Sequence, residues 1–242
     1  WLKLADAYMN AYANPAGIGW QGASKQELQM LMAGQQPMAV EQVEVGGAPY
    51  TKEVYPTCNY YFNTNGQLQI IEVTAPIYED ALENARVAYA EAAAVDVKQA
   101  KIKDVKAGLE NIAAKYVNDA FNSYQFGDLA KASVLFEKAA KAAATEPLNK
   151  VDTTAVYNAG FTAWMVQDYE RAKSFFLACL DVPYYHEDGE VYSKLADVYS
   201  KLGDKAMAVQ TLEEGFSKFP QSQSILIGLI NYYLENNENP DR

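Results

Sequence analysis

Apolar positions in the C-terminal half of the chain recur with a period between three and four. From Tyr192 they fall at Leu195, Ala196 and Tyr199, the i, i+3, i+4, i+7 stripe of an α-helix. Gly203-Asp204 interrupts that stripe, and glycine takes the left-handed conformation that ends helices. A second helical pattern follows, with Ala208, Leu212 and Gly215 inward and Pro220 as a stop. The unit is a helical hairpin of about 34 residues, and helices this short need neighbours to stack on. The octamer YSKLADVY at 192–199 has a counterpart in WLKLADAY at 1–8. One helix face written twice predicts a chain assembled from copies of a unit.

Two more copies lie between them. Thr153–Tyr184 carries Val156, Ala159, Gly160 and Ala163, a Gln167-Asp168-Tyr169 turn, then Ala172, Phe176 and Cys179. Ala113–Pro147 carries Tyr116, Ala120, Gly127-Asp128, Ala132, Phe136 and Ala139, with Asp119 and Ser123 where Leu195 and Tyr199 stand in the copy at 192. Tyr116, Val156, Tyr192 and Leu226 occupy matching places, spaced 40, 36 and 34 apart, and loops such as TEPLNKVDT at 145–153 absorb the drift. An aromatic-x2-L-[GA]-x2-Y helix, then an A-x3-F-x2-A helix, then Pro, resembles the tetratricopeptide repeat (TPR). The resemblance implies a predominantly all-α fold, a TPR superhelix.

The first copy is interrupted. Its helix A ends near Asn14-Pro15, and a matching helix B appears only at Ala85, Tyr89 and Ala92. In the intervening stretch, about residues 14–77, Ser24 and Glu27 form a capping box for a short helix running through Met32. The period then changes to two, at Val43 and Val45, and from Tyr50 to Tyr55 beyond Gly46-Gly47. CNYYF at 58–62 and QLQIIEV at 67–73 flank Asn65-Gly66, a hairpin signal. A small antiparallel sheet of two or three strands is predicted, packed on the helices because a lone hairpin is not stable in water. Ile102, Val105, Leu109 and Ile112 add a helical segment ahead of the second repeat, or extend its first helix. The organisation is then residues 1–112, holding the first repeat with its insertion, and residues 113–242, holding repeats two to four and helix A of a fifth. That last helix, ILIGLINYYL at 225–234, is apolar on nearly every face and lacks a helix B. It predicts an ordered fragment of a longer array, with Ile225, Leu229 and Tyr232 or Tyr233 not all covered by one neighbour, so that either another copy contacts this helix or the longer native chain covers it.

Composition narrows the function. Half of the 242 residues are apolar, enough for a sizeable core, and no apolar run reaches the length of a bilayer span. A net charge of −11 argues against nucleic acid and anionic membrane surfaces as partners. Cys58 and Cys179 stand alone without a CxxC pair, and read as free thiols. His186, the one histidine, lies in PYYHEDGE at 183–190 with no nucleophile pattern nearby and without EF-hand spacing. Gly17, Gly19 and Gly22 follow no strand, so they make no phosphate loop. No catalytic residue, metal site or cofactor is expected.

Beside the packing stripe of Val156, Ala159, Gly160 and Ala163, the third repeat's helix A carries Tyr157, Phe161, Trp164 and Met165. Forty residues earlier Val117, Phe121 and Tyr124 repeat that stripe, and Asn118 matches Asn158. The matching residues of the fourth repeat are Ser193, Asp197 and Ser200, where the aromatic floor stops. The TPR resemblance places such residues in a concave ligand groove, with the Asn side chains holding a peptide backbone. It therefore implies a protein or peptide partner and a non-catalytic scaffold. Aromatic stripes at this spacing also serve as core, so three arrangements stay open: a liganded groove, one covered by the insertion, or one filled by another copy. The last two would make the chain a structural or assembly subunit. A carboxylate clamp of the kind found in chaperone-binding TPR domains is not expected, because Asp6, Glu190 and Asp197 occupy the region and Lys194 and Lys201 are isolated, on a solvated face. The extended helices, the NG insertion and SQSILIGLINYY resemble TPR proteins of bacterial cell envelopes, which implies a periplasmic or secreted location.

Overall fold

The computed structural model describes residues 1–235. Among them the fold is predominantly helical, with one small antiparallel sheet inserted near the start. The chain divides into two compact units: Trp1–Gly127 with Ala142–Lys150, and Asp128–Lys141 with the chain from Val151 onward.

In the first unit, α1 (Leu2–Ala13) packs on α3 (Ala81–Val95), and α3 packs on α4 (Ile102–Gln125). The delayed helix B is therefore real, with Ala85, Tyr89 and Ala92 buried. The Tyr89 ring lies directly against Gly108 of α4, where any side chain would collide with it, and its hydroxyl donates to Asp6 at 3.1 Å. The segment from Ile102 is not a separate helix but the first turns of α4, which runs 24 residues. Asp119 departs from the repeat pattern for a visible reason: both its oxygens accept the Tyr12 hydroxyl of α1, at 2.9 and 3.0 Å.

Between α1 and α3 lie α2 (Lys25–Leu31) and the sheet. The capping box that opens α2 is formed, with Glu27 N–H donating to Ser24 Oγ and Ser24 N–H donating to the Glu27 carboxylate. The sheet has four strands rather than two or three: β1 (Ala39–Val45), β2 (Ala48–Val54), β3 (Cys58–Phe62) and β4 (Leu68–Val73), an antiparallel meander in chain order. The extra strands come from Gly46-Gly47, whose φ values of 59° and 78° make the two-residue turn that fits strand twist. That turn closes β1 and β2 into a hairpin of their own. The central strand β3 is buried on both faces. Tyr60 and Phe62 join Leu28 and Leu68 on one side, while Tyr61 joins Val45 and Ile70 on the other and meets the Phe126 ring. Gly17 and Gly19 serve this packing, since Tyr60 fills the space beside them and its hydroxyl accepts from Gly19 N–H and donates to Ala16 O.

The second unit takes in most of α5 (Leu129–Ala144) and all of α6 (Thr153–Met165), α7 (Tyr169–Asp181), α8 (Glu190–Lys201), α9 (Lys205–Lys218) and α10 (Gln223–Glu235). Helices break at the three expected dipeptides, and the geometry shows why Asp ends each one. Asp128, Asp168 and Asp204 accept the backbone N–H three residues on, from Lys131, Arg171 and Met207, and so cap α5, α7 and α9. A cap of this kind contributes about 1 kcal/mol. Before α7 a glutamine, Gln167, takes the left-handed φ of 64° that Gly127 and Gly203 adopt at the other two breaks.

The terminal helix departs from expectation. Ile225 is fully buried against Tyr192 and Leu212, and Leu229 packs on the same cluster. Tyr232 and Tyr233 are partly buried, and the Tyr233 hydroxyl donates to Glu213. The exposed apolar residues are instead Ile227, Ile230 and Leu234, because α10 packs on both α8 and α9. Residues 236–242 lie outside the described chain.

Candidate interaction surface

The A-type helices α4, α6 and α8 present the residues that the sequence singles out. On α6, Tyr157, Phe161 and Trp164 form one row at i, i+4 and i+7. Tyr157 stacks on Phe161 with centroids 6.0 Å apart, and Phe161 meets Trp164 at 5.8 Å. A second row with the same spacing, Glu190, Lys194 and Asp197, runs along α8. The two rows pair residue by residue at an offset of 33. The Tyr157 hydroxyl donates to Glu190 Oε2 at 2.9 Å, and the Trp164 indole N–H donates to Asp197 Oδ2 at 2.6 Å. Between them Lys194 Nζ sits 3.9 Å from the Trp164 ring centroid and 5.4 Å from that of Phe161. Lys194 Nζ also lies 3.6 Å from Glu190 Oε1.

Lys194 is therefore not on a solvated face. Its ammonium is held over two rings and beside a carboxylate, an arrangement in which each cation–π contact contributes about 0.5–2 kcal/mol. The row it covers is not a bare floor. Tyr157 is only 4% exposed and belongs to the core cluster with Ala163, Phe176 and Cys179, while Val156, assigned to the packing stripe, lies at that cluster's margin. Burial, then the hydrogen bond to Glu190, push the Tyr157 hydroxyl well above the ordinary phenol range. Burial alone pushes the Cys179 thiol up to about 12, and Cys58 is raised too, so both free thiols are unreactive in character.

The loop between α7 and α8 closes the other side of Tyr157. His186, at φ 56°, lays its ring flat on the Tyr157 ring with centroids 3.9 Å apart, and Tyr184 packs edge-on. His186 Nδ1 lies 3.0 Å from Glu190 Oε2 but makes no hydrogen bond there, being out of line with an oxygen that Tyr157 already uses. The histidine works here as a flat cover for an aromatic ring.

Other residues of the expected site fare differently. Asn158 and Val117 are partly buried, and Met165 and Asn118 are exposed. On α4, Phe121 is 48% exposed and Tyr124 40%, although they match Phe161 and Trp164. In the first unit the sheet meets α4 one step beyond them, at Phe126 and through Asn122, whose Nδ2 donates to Ile71 O at 3.5 Å. The residues that sequence reasoning missed are Glu190, Lys194, Asp197 and His186. The first three do carry a signal, since their spacing copies that of Tyr157, Phe161 and Trp164.

Residues 189–217, which span α8 and nearly all of α9, match the family model for the tetratricopeptide repeat. Residues 189–217 are a tetratricopeptide repeat. The α6–α7 hairpin has the same construction, with Gly160 against Phe175 and Phe176 where a larger residue would not fit. No curated protein matches the chain. Among solved structures, the TPR chain is similar to MamA, at 16% identity and a TM-score of 0.41, over 65% of this chain and 80% of that one. It is also similar to BtubC (BKLC) from P. vanneervenii, at 18% identity and a TM-score of 0.45, over 65% and 74%. A third similarity is to the APC/C hetero-tetramer Cut9-Hcn1, at 14% identity and a TM-score of 0.40, over 64% of this chain and 34% of that one. The TPR assignment rests on the match at 189–217 and on the hairpin geometry, and these three likenesses add nothing to it.

Proposed function

We propose that this TPR chain is a non-catalytic protein-interaction scaffold that takes a peptide or protein segment along the A-helix face of α4. The observation that carries this reading is the exposure of Phe121 and Tyr124, one turn apart on a helix that buries Val105, Leu109, Ile112 and Tyr116. Aromatic rings held on a rigid helix are efficient binding anchors, since little side-chain freedom remains to be lost when a partner covers them. Asn118, one turn before Phe121 and exposed, supplies a carboxamide able to bond both N–H and C=O of an extended backbone. On the second unit Tyr157, Phe161 and Trp164 belong to the scaffold. The inserted sheet leaves Phe121 and Tyr124 exposed, which favours an external ligand over a groove filled by the chain's own insertion.

Selection of a displayed peptide library on the full chain tests the reading. Selected peptides are expected to lose at least tenfold in affinity for Phe121→Ala/Tyr124→Ala and to bind Ile227→Ser/Ile230→Ser unchanged. Peptides indifferent to the first variant overturn it. On the resemblance to cell-envelope TPR proteins, we place the protein in the bacterial periplasm or outside the cell; recovery of the native protein in the cytoplasmic fraction would contradict this.

A further inference from the structure

The two edges of the inserted sheet are treated differently. Along β4, Leu68 N–H donates to Ala23 O at 2.8 Å and Gly22 N–H donates to Leu68 O at 2.7 Å. Gln21 Nε2 then donates to Gln69 O at 3.1 Å, and Asn122 Nδ2 reaches Ile71 O. That edge is closed by the segment before α2 and by α4. At the other edge β1 ends the sheet, and no described strand lies beyond it.

The turn decides which backbone groups of β1 point outward. A two-residue turn makes Val45 and Ala48 a hydrogen-bonded pair, and such pairs alternate along an antiparallel ladder. Val43 and Glu41 therefore bond to β2, opposite Tyr50 and Lys52. Val40, Gln42 and Glu44 turn their N–H and C=O groups away from β2, and all three residues are exposed. Natural edge strands are usually protected by proline, by lysine, by a bulge or by shortness. β1 runs seven residues, AVEQVEV, in unbroken register with β2 and without proline or lysine, so charge at Glu41 and Glu44 is its protection, and that charge repels acidic strands alone.

We infer that the outer edge of β1 is a strand-addition site for an extended protein segment in which basic and apolar residues are interspersed. Charge chooses the occupant. Glu41 and Glu44 project from opposite faces of β1. Glu41 has Lys52 at 3.3 Å on the β2 side, and both carboxylates are exposed towards an added strand. A second copy of this chain would bring two further glutamates to within a strand spacing of about 4.8 Å and would carry the same net charge of −11. A strand with Lys or Arg beside Glu44 and Glu41, and an apolar residue beside Val43 and Val40, answers every exposed position. In antiparallel order that segment reads Lys-Val-Thr-Lys-Val. This site lies on the insertion and is independent of the α4 face.

Two fluorescent peptides test it on the full chain: acetyl-Thr-Lys-Val-Thr-Lys-Val-Thr-amide, and the same peptide with both Lys replaced by Glu. The lysine peptide is expected to bind at least tenfold tighter by anisotropy, to weaken with added salt, and to slow hydrogen exchange at the Gln42 amide. Glu41→Lys/Glu44→Lys is expected to reverse the preference. Gln42→Pro removes an outward N–H and the exposed side-chain bond to Thr51 while leaving the backbone bonds to β2, a substitution edge strands tolerate, and it is expected to cost at least tenfold in affinity. Phe121→Ala/Tyr124→Ala is expected to change nothing here, which separates failure of this site from failure of the helix-face reading. Absence of binding, equal binding of the two peptides, a preference unchanged by charge reversal, or a dimer lost on Gln42→Pro would each overturn the proposal.

Discussion

Helices α4 and α6 carry the same aromatic stripe forty residues apart and use it in opposite ways. On α6, Tyr157 and Trp164 have their polar atoms taken by Glu190 and Asp197, and Lys194 lies over the rings between them. On α4, Phe121 and Tyr124 remain among the most exposed large apolar residues of the helix. An aromatic at a given repeat position is thus not a binding residue or a core residue by its place in the motif. Its role follows from how much of the ring the surrounding elements bury. On α6, where an acceptor row, a lysine and a loop histidine close over it, the stripe becomes part of the framework.

The sharpest way to break this contrast is to delete the buried ring. Tyr157→Ala removes a side chain packed against Phe176, Tyr184 and His186, and a loss of about 3–5 kcal/mol is expected in urea unfolding. Next is Trp164→Phe, which keeps a ring but leaves the Asp197 carboxylate without its indole donor. About 1–3 kcal/mol is expected, and Asp197→Ala in the Trp164→Phe background should add little, since the two act as a unit. Lys194→Met should cost about 0.5–2 kcal/mol, measured the same way. The α4 residue Tyr124 comes last, with Tyr124→Ala expected to cost no more than about 1 kcal/mol, measured the same way.

Titration sharpens the same contrast. The Tyr157 hydroxyl is raised by burial and by Glu190, so the native state keeps a proton that the unfolded chain releases above its ordinary pKa of about 10. Its contribution is complete below that pH and is lost as pH rises beyond it, with a slope of up to about 1.4 kcal/mol per pH unit. Tyr157→Phe should therefore flatten the alkaline fall in stability, read from urea midpoints across that range.

Much of the framework was legible because its signals are local. Gly127-Asp128, Gln167-Asp168 and Gly203-Asp204 each combine a left-handed turn with a capping carboxylate, and both effects act within four residues. Ser24 and Glu27, and the late helix B at Ala85 and Tyr89, are equally local patterns. The face of α6 was harder, because neighbouring residues on a helix point about 100° apart and Val156 and Tyr157 are both apolar. What buries Tyr157 is a loop residue at positive φ, His186, whose conformation no periodicity announces. Lys194 looked isolated for a related reason. Alignment by repeat pairs Trp164 with Ser200, whereas the packed helices bring it to Asp197, nearly one turn earlier. The β1–β2 hairpin was less legible because AVEQVEV and APYTKEV are less buried strands with a weaker apolar pattern than CNYYF and LQIIEV.

The most direct test sets Trp164→Ala against Tyr124→Ala, the two matched positions, in urea unfolding followed by far-ultraviolet circular dichroism. Trp164 loses a charged hydrogen bond, a cation–π contact and part of its burial, so a cost at least about 2 kcal/mol greater than that of Tyr124 is expected. Equal losses, or a larger loss at Tyr124, would mean that the two stripes play the same part and would contradict the account.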